Sequence, residues 1–131
     1  MKNIFRGVIV ILLLALVIGC AGRTKPVYNI ESNPISYELT KQDVERAILK
    51  AGVEKGWTMN VVKPGEIDAK VIVRSHNAHI KISYSEKNYS IHYVDSQNLL
   101  YKDGKIHRNY NKWISFLDRR IQANLIDISA K

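Results

Sequence analysis

The sequence predicts an α+β fold of two layers, in which an N-terminal and a C-terminal helix cover one face of an antiparallel sheet of about four strands. Three observations support this prediction. A capped helical pattern begins at Thr40, a stretch with a period of two follows between Trp57 and Tyr93, and a wide apolar helical face lies between Trp113 and Leu125. An antiparallel sheet needs one covered face, and two helices in this order can supply it.

The first helix is predicted from residue 41 onwards by its start signal. Thr40 is a good N-cap, and Asp43 lies three residues later, where it can complete a capping box. Gly52 weakens the helical pattern, and Gly56 is expected to end the helix. One apolar stripe repeats at positions i, i+3, i+4 and i+7, and it consists of Val44, Ala47, Ile48 and Ala51.

Four strands are predicted between residues 57 and 93, because apolar and polar side chains alternate there. Pro64-Gly65 marks the turn after the first of them. Residues 99–101 offer a short further strand before a turn at Asp103-Gly104. The alternation places one set of side chains in the core and the other set on a polar face of the sheet.

The last element is predicted to be a helix that covers the sheet. Asn109 or Asn111 can cap its start. Its apolar face is wide enough to lie over a sheet and consists of Trp113, Phe116, Leu117, Ile121 and Leu125. Residues 37–131 are therefore predicted to form a single α+β domain, which suits the length of the chain.

Residues 1–19 have the layout of a secretory signal peptide. Lys2 and Arg6 precede an uncharged apolar run, which extends from residue 7 to the small residue Gly19. A membrane-spanning helix needs about 20 apolar residues, so a permanent span is the weaker interpretation of this shorter run. We expect residues 1–19 to be removed when the chain is exported.

Val17-Ile18-Gly19-Cys20 resembles the lipobox of bacterial lipoproteins. The resemblance implies that the signal is cut before Cys20, that the Cys20 thiol is diacylated and that the new amino group is usually acylated too. The family most often has leucine where this chain has Val17, which is a mild departure. Ala21, in place of aspartate, implies sorting to the outer membrane. The alternative is a plain signal peptide followed by an incidental cysteine.

The amino-acid composition excludes several classes of function. Cys20 is the only cysteine, which excludes an intramolecular disulfide framework and a cysteine-rich zinc site. The formal net charge of +8 favours an anionic partner, and export to the envelope removes nucleic acid from the candidates. Residues 20–36 contain Pro26 and Pro34 and are predicted to be the lipidated cysteine and a tether, in which residues 27–30 can form a short edge strand.

No catalytic residue is predicted. The chain lacks a Gly-x-Ser-x-Gly elbow, a glycine-rich phosphate loop and a His-Glu-x-x-His pair. His79 and His92 fall on polar positions of neighbouring strands, so a small periplasmic hydrolase or metal-binding protein that uses this pair is the alternative function. We expect no cofactor and no metal site, because no cysteine or suitably spaced carboxylate accompanies the histidines.

Two clusters of polar residues are candidate binding surfaces for an anionic envelope component or an acidic protein. The first lies on the polar face of the predicted sheet. The second lies at the start of the last helix, where backbone N–H groups favour anions. The residues concerned are Lys70, Arg74, His79, Lys81 and His92 in the first cluster, and Arg108, Tyr110 and Lys112 in the second. The alternatives are a plain solvated sheet face and packing of Tyr110 in the core.

Four further segments support a second resemblance. They are Arg74-Ser75-His76, Ile82-Ser83-Tyr84, Tyr93-Val94-Asp95-Ser96 and Ile106-His107-Arg108-Asn109-Tyr110-Asn111-Lys112-Trp113. With these segments, residues 40–125 are similar to a group of small uncharacterised lipoproteins of Gram-negative bacteria. The resemblance implies a fold and an envelope location, and it transfers no functional residues. We therefore expect a non-enzymatic binding or structural domain, held by acyl chains on Cys20 at the periplasmic face of the outer membrane.

Overall fold

The computed structural model describes residues 22–131. The predicted signal peptide and the predicted lipidation site at Cys20 lie outside these described residues. Seven strands and two helices lie within residues 22–131. They are β1 (Thr24–Pro26), β2 (Ile30–Pro34), α1 (Lys41–Glu54), β3 (Thr58–Lys63), β4 (Glu66–Val73), β5 (His76–Tyr84), β6 (Asn88–Gln97), β7 (Lys105–His107) and α2 (Arg108–Ser129).

Five strands form an antiparallel sheet in the order β2-β6-β5-β4-β3, and β1 pairs with β7 in a separate two-stranded sheet. The α+β class is as predicted, while the sequence predicted a sheet of only about four strands. The additional strand is β2, which comes from the stretch predicted as a tether. Residues 99–101 lie outside the strands, and β7 forms after the turn at Asp103-Gly104 instead.

Alternation along the strands decides which side of the sheet is buried. Pairing places Ile67, Ile82 and Ile91 side by side on β4, β5 and β6, and all three are buried. They belong to the same buried cluster as the apolar stripes of α1 and α2. The two helices also contact each other, since Asn124 of α2 donates a hydrogen bond of 3.2 Å to the Ala47 carbonyl of α1.

The start and the end of α1 follow the predicted signals. The Thr40 hydroxyl accepts from the Asp43 N–H at 3.1 Å, and the Asp43 carboxylate accepts from the Thr40 N–H at 3.1 Å. This capping box holds the pKa of Asp43 below its ordinary value. The chain leaves the helix through Gly56, whose φ of 84° suits glycine. Gly52 has a packing role, because a Cβ there would lie 2.2 Å from the Met59 sulfur.

The start of α2 differs from the prediction. The N-cap is His107, whose ring Nδ1 accepts from the Asn109 N–H at 3.1 Å, so neither Asn109 nor Asn111 caps the helix. The Asn111 side-chain amide instead bonds to the N-terminal segment. Its oxygen accepts from the Tyr28 N–H, and its nitrogen donates to the Pro26 carbonyl, both at 3.0 Å. Asn111 therefore holds the N-terminal segment against α2.

The segment predicted as a tether is bound to the domain from Thr24 onwards. β1 pairs with β7, and β2 adds to the edge of the five-stranded sheet. On β2, Asn33 donates to the Tyr89 hydroxyl at 2.9 Å and to the Asp118 carboxylate at 3.2 Å. Residues 24–34 of the predicted tether therefore pack against the domain, because their backbone and polar side chains have partners on β6, β7 and α2.

Candidate binding surfaces

The polar face of the sheet brings together four of the predicted binding residues. Antiparallel pairing places Lys70 opposite His79 and Lys81 opposite His92. Side chains at directly opposite positions have Cβ atoms about 4.5–5.5 Å apart, so they interact across the strands. This surface, here named the sheet face, consists of Lys70, His79, Lys81 and His92 together with the carboxylates Glu31, Glu66, Asp68 and Asp95.

Carboxylates on the sheet face contact Lys81, His92 and His79, whereas Lys70 takes part in no ion pair within residues 22–131. The pairs are Lys81 with Glu66, His92 with Glu31 (Nε2 to Oε1, 2.8 Å) and His79 with Asp68 (Nε2 to Oδ1, 3.6 Å). Asp95 also lies directly opposite His79 on the neighbouring strand. The sequence predicted a basic strip with one carboxylate, whereas the sheet face carries four carboxylates beside its two lysines and two histidines. An anionic ligand would have to compete with these internal partners.

The pair formed by Lys81 and Glu66 shows the strength of this pairing. The hydrogen bond from Lys81 and its charge hold the pKa of Glu66 below its ordinary value, and the same contact raises the pKa of Lys81. Sequence parity could have found Glu66, because it lies two residues before Asp68 on the same strand. Asp95 was missed because a bulge at Val94 shifts the register of β6.

His79 and His92, the pair on which the alternative function depends, are not directly opposite each other in the sheet. Lys81 lies opposite His92, whereas His79 lies opposite Asp95. A cavity of about 280 Å³ on the sheet face is lined by His79, Asp95 and Lys70, but not by His92. Among residues 22–131, no three histidine, cysteine, aspartate or glutamate side chains are grouped so that they could hold a metal ion.

Exposed cations gather where β1, β7 and the start of α2 meet. The β1–β7 pairing puts Lys25 opposite Ile106 and Lys105 opposite Pro26. The Arg108 N–H donates to the Arg23 carbonyl at 3.0 Å, which joins the start of α2 to the chain just before β1. This surface, here named the cationic end, consists of Arg23, Lys25, Arg74, Lys102, Lys105, Arg108 and Lys112, all of which are exposed.

Arg74 belongs to the cationic end rather than to the sheet face where the sequence placed it. It lies in the turn between β4 and β5 and has a φ of 59°. The Asn98 side chain donates to the Ser75 carbonyl at 2.7 Å, and the Asn98 carbonyl accepts from the His76 ring at 2.6 Å. These bonds hold the turn beside residues 98–104, which lead into β7.

The cations of the cationic end lack the partners found on the sheet face. Within residues 22–131, none of them takes part in an ion pair. His107 experiences their combined charge: burial lowers its pKa, and Arg108, His76, Arg23 and Lys112 lower it further. Arg108 also opposes the positive end of the α2 dipole. The cationic end is therefore an electropositive surface that an external anion would stabilise.

The prediction that Tyr110 belongs to a binding surface is wrong, because its side chain lies beneath the surface rather than on it. Its side chain is fully buried and contacts Tyr93 edge-on, with ring centroids 5.6 Å apart. Its hydroxyl has no hydrogen-bond partner within the described part of the chain. Burial raises the pKa of Tyr110. Tyr110 therefore packs in the core, which was the structural alternative for this residue.

A comparison with protein-family models and with curated protein sequences gives no match for this chain. Along residues 22–131, neither helix contains a segment that is long and apolar enough to cross a membrane.

Proposed function

We propose that this protein is a lipid-anchored domain on the periplasmic face of the outer membrane, and that its cationic end binds an anionic component of the envelope without catalysing a reaction. In the proposed arrangement, α1 and α2 form one layer over the buried face of the sheet. In that arrangement the cationic end stays accessible at the edge of both layers. The anchor and the binding surface are supported by different observations.

The anchor is supported by the residues from Val17 to Cys20 and by the chain that follows them. Two or more acyl chains hold a protein stably at a membrane, whereas one chain gives only marginal binding. Thr24 already begins β1, and each step between consecutive Cα atoms covers about 3.8 Å. A chain attached at Cys20 would therefore hold the cationic end close to the bilayer.

The binding surface is supported by one contrast in particular. Among the described residues, no cation of the cationic end takes part in an ion pair, whereas Lys81, His92 and His79 on the sheet face contact carboxylates. Clustered like charges repel one another and raise the local concentration of counter-ions. Arg108 and Lys112 add side-chain donors at the first turn of α2. Phosphate and carboxylate groups fit such a surface, because both accept charge-assisted hydrogen bonds.

The anchor is tested by replacing the predicted acyl acceptor. We expect Cys20→Ser to abolish labelling with a fatty-acid analogue and to release the chain from the membrane fraction, because the serine hydroxyl does not replace the thiol. Ala21→Ser is the matched control, and it should leave both properties unchanged. A wild-type chain without acyl label, or a Cys20→Ser variant that stays with the membranes, would contradict the anchor.

A further inference from the structure

Residues 98–104 form a loop that extends two large side chains from the cationic end. Leu100 is 58% exposed and Tyr101 is 48% exposed. Lys102 and Lys105 lie beside them, and their backbones form a bridge with each other. Leucine, tyrosine and lysine together suit a lipid surface, where apolar groups enter the acyl boundary, aromatic rings lie at the headgroups and cations meet phosphates.

Buried contacts hold this loop in one shape. Leu99 is buried, and its carbonyl accepts from the His107 N–H at 2.7 Å. Tyr101 stacks on Tyr93 with ring centroids 4.5 Å apart. Leu100 has a φ of 57°, which is unfavourable for a bulky side chain. The surrounding contacts therefore keep the Leu100 side chain directed outwards before any partner binds.

The loop lies beside the stretch of chain that leads back to Cys20. The Val27 N–H donates to the Gly104 carbonyl at 2.9 Å, and β1 pairs with β7 directly after the loop. Gly22 is two residues from Cys20, which corresponds to a reach of at most about 8 Å between their Cα atoms. An acyl group on Cys20 would therefore keep residues 98–104 within reach of the lipid headgroups.

We propose that residues 98–104 dock on the membrane that holds the lipid anchor. Leu100 enters the boundary between headgroups and acyl chains, and the cationic end contacts the lipid phosphates. This inference rests on the proposed lipid anchor, and it makes the lipid surface itself the anionic partner. Charge complementarity favours this end over the sheet face, because an anionic surface attracts unpaired cations more strongly than paired ones. The docked domain has one fixed orientation on the membrane.

A fluorescent label at the loop tests the docking. In the acylated chain the Cys20 sulfur is blocked, so Leu100→Cys provides a reactive thiol for an environment-sensitive dye. The full acylated chain is placed in vesicles of phosphatidylethanolamine and phosphatidylglycerol that contain a lipid with a quencher on its acyl chain. We expect the dye at residue 100 to lose most of its fluorescence. A vesicle of phosphatidylcholine that contains the same quencher lipid should give less quenching.

Ile126→Cys is the matched control for the label. Ile126 is an aliphatic residue of similar exposure (50%), and it lies on α2 roughly 27 Å along the helix from Arg108 at 1.5 Å per residue. A dye there should remain unquenched in the same vesicles. If Leu100→Cys lowers the melting temperature, Lys102→Cys places the dye on the same loop. Equal quenching at residues 100 and 126, or none at residue 100, would overturn the docking.

The outcomes separate the docking from the anchor. If Cys20 is not acylated, its free thiol takes up dye in the wild-type chain and the protein does not stay with the vesicles, so the anchor itself fails. If the chain stays with the vesicles and residue 100 is unquenched, the anchor stands and the docking is rejected. Protection of residue 100 in whole envelopes but not in pure lipid would assign the loop to an envelope protein and would also reject docking on lipid.

Discussion

The sheet face and the cationic end both expose cations, but of the two surfaces only the sheet face contains ion pairs with carboxylates among the described residues, and Lys70 takes no part in them. On the sheet face, Lys81 contacts Glu66, and His92 contacts Glu31. At the cationic end, Arg108 and Lys112 have no such partner among residues 22–131. Positive charge on an exposed face is therefore weak evidence of a binding site until the pairing of that charge is known.

The geometry of the two surfaces explains the difference. In a sheet, a side chain on a central strand has neighbours on both adjacent strands. Asp68 thus lies directly opposite Lys81 and reaches His79 on the diagonal. At the cationic end, short pieces of chain meet without a regular ladder, and Arg23, Lys105 and Arg108 arrive from distant positions in the sequence. Their repulsion is left for solvent ions or an external anion to relieve.

Neutralising cations of the cationic end should cause the largest loss of docking. In a variant with Lys105→Gln, Arg108→Gln and Lys112→Gln, we expect the ratio of docked to undocked anchored chains to fall roughly 100-fold, because each cation near an anionic surface contributes about 1 kcal/mol. The dye at residue 100 measures the ratio in anionic vesicles. Crosslinked capture of anionic components from intact envelopes should fall with it.

A sheet-face variant with Lys70→Gln and Lys81→Gln is the control for that measurement. We expect docking and capture to remain at the wild-type level, and the melting temperature to fall slightly, because Glu66 loses its partner. Loss of docking or capture in this variant, with neither lost in the cationic-end variant, would reverse the assignment of the two surfaces.

Tyr89 and Tyr110, two fully buried tyrosines, differ in whether their hydroxyl groups have hydrogen-bond partners. The Tyr89 hydroxyl donates to Asp118 and accepts from Asn33, so Tyr89→Phe should lower the free energy of unfolding by about 1–3 kcal/mol. The Tyr110 hydroxyl has no partner in the described chain, so Tyr110→Phe should leave that free energy unchanged or raise it by about 1 kcal/mol. Urea denaturation measures both changes. Docking should be unaffected in the Tyr110→Phe variant, and its loss would return Tyr110 to the binding surface.

The elements that the sequence predicted well are those whose signals are local. The N-cap of α1 depends on Thr40 and Asp43, which are three residues apart and contact each other directly. β2 was predicted only as a short edge strand beginning earlier in the chain, because its residues are mostly polar and a single buried side chain, Ile30, faces the core. Its position is decided by distant groups such as Tyr89 and Asp118, which no local pattern contains.

The same distinction applies to the candidate sites. Strand parity correctly placed Lys70 and Lys81 on one face, because alternation is a property of neighbouring residues. Parity could not show that Glu31 would reach His92, since that contact depends on which strand lies at the edge of the sheet. The sequence predicted Arg108 as a site residue from its position at the start of a helix. It could not predict the neighbours of Arg108 from β1 and from residues 98–104, because these depend on the β1–β7 pairing.

The smallest expected effect is the pH dependence of stability and docking that arises from His107, the N-cap of α2 beside the cationic end. Burial and the charges of Arg108, His76, Arg23 and Lys112 hold its pKa below the ordinary value of 6.5. The neutral imidazole therefore stabilises the fold above pH 6.5, and this contribution is lost as the pH falls from there through the lower folded pKa. Protonation of Nδ1 would also remove the acceptor of the α2 cap.

Docking on an anionic surface should raise the pKa of His107, because lipid phosphates offset the positive charges around it. By linkage, docking should then strengthen as the pH falls through this pKa. NMR titration of the His107 ring in the acylated chain, with and without phosphatidylglycerol in the bilayer, measures the shift. His107→Asn keeps an acceptor for the cap and removes the titration, so it should abolish the pH dependence of docking. If the dependence persists in that variant, the proton is taken up elsewhere and the prediction for His107 is wrong.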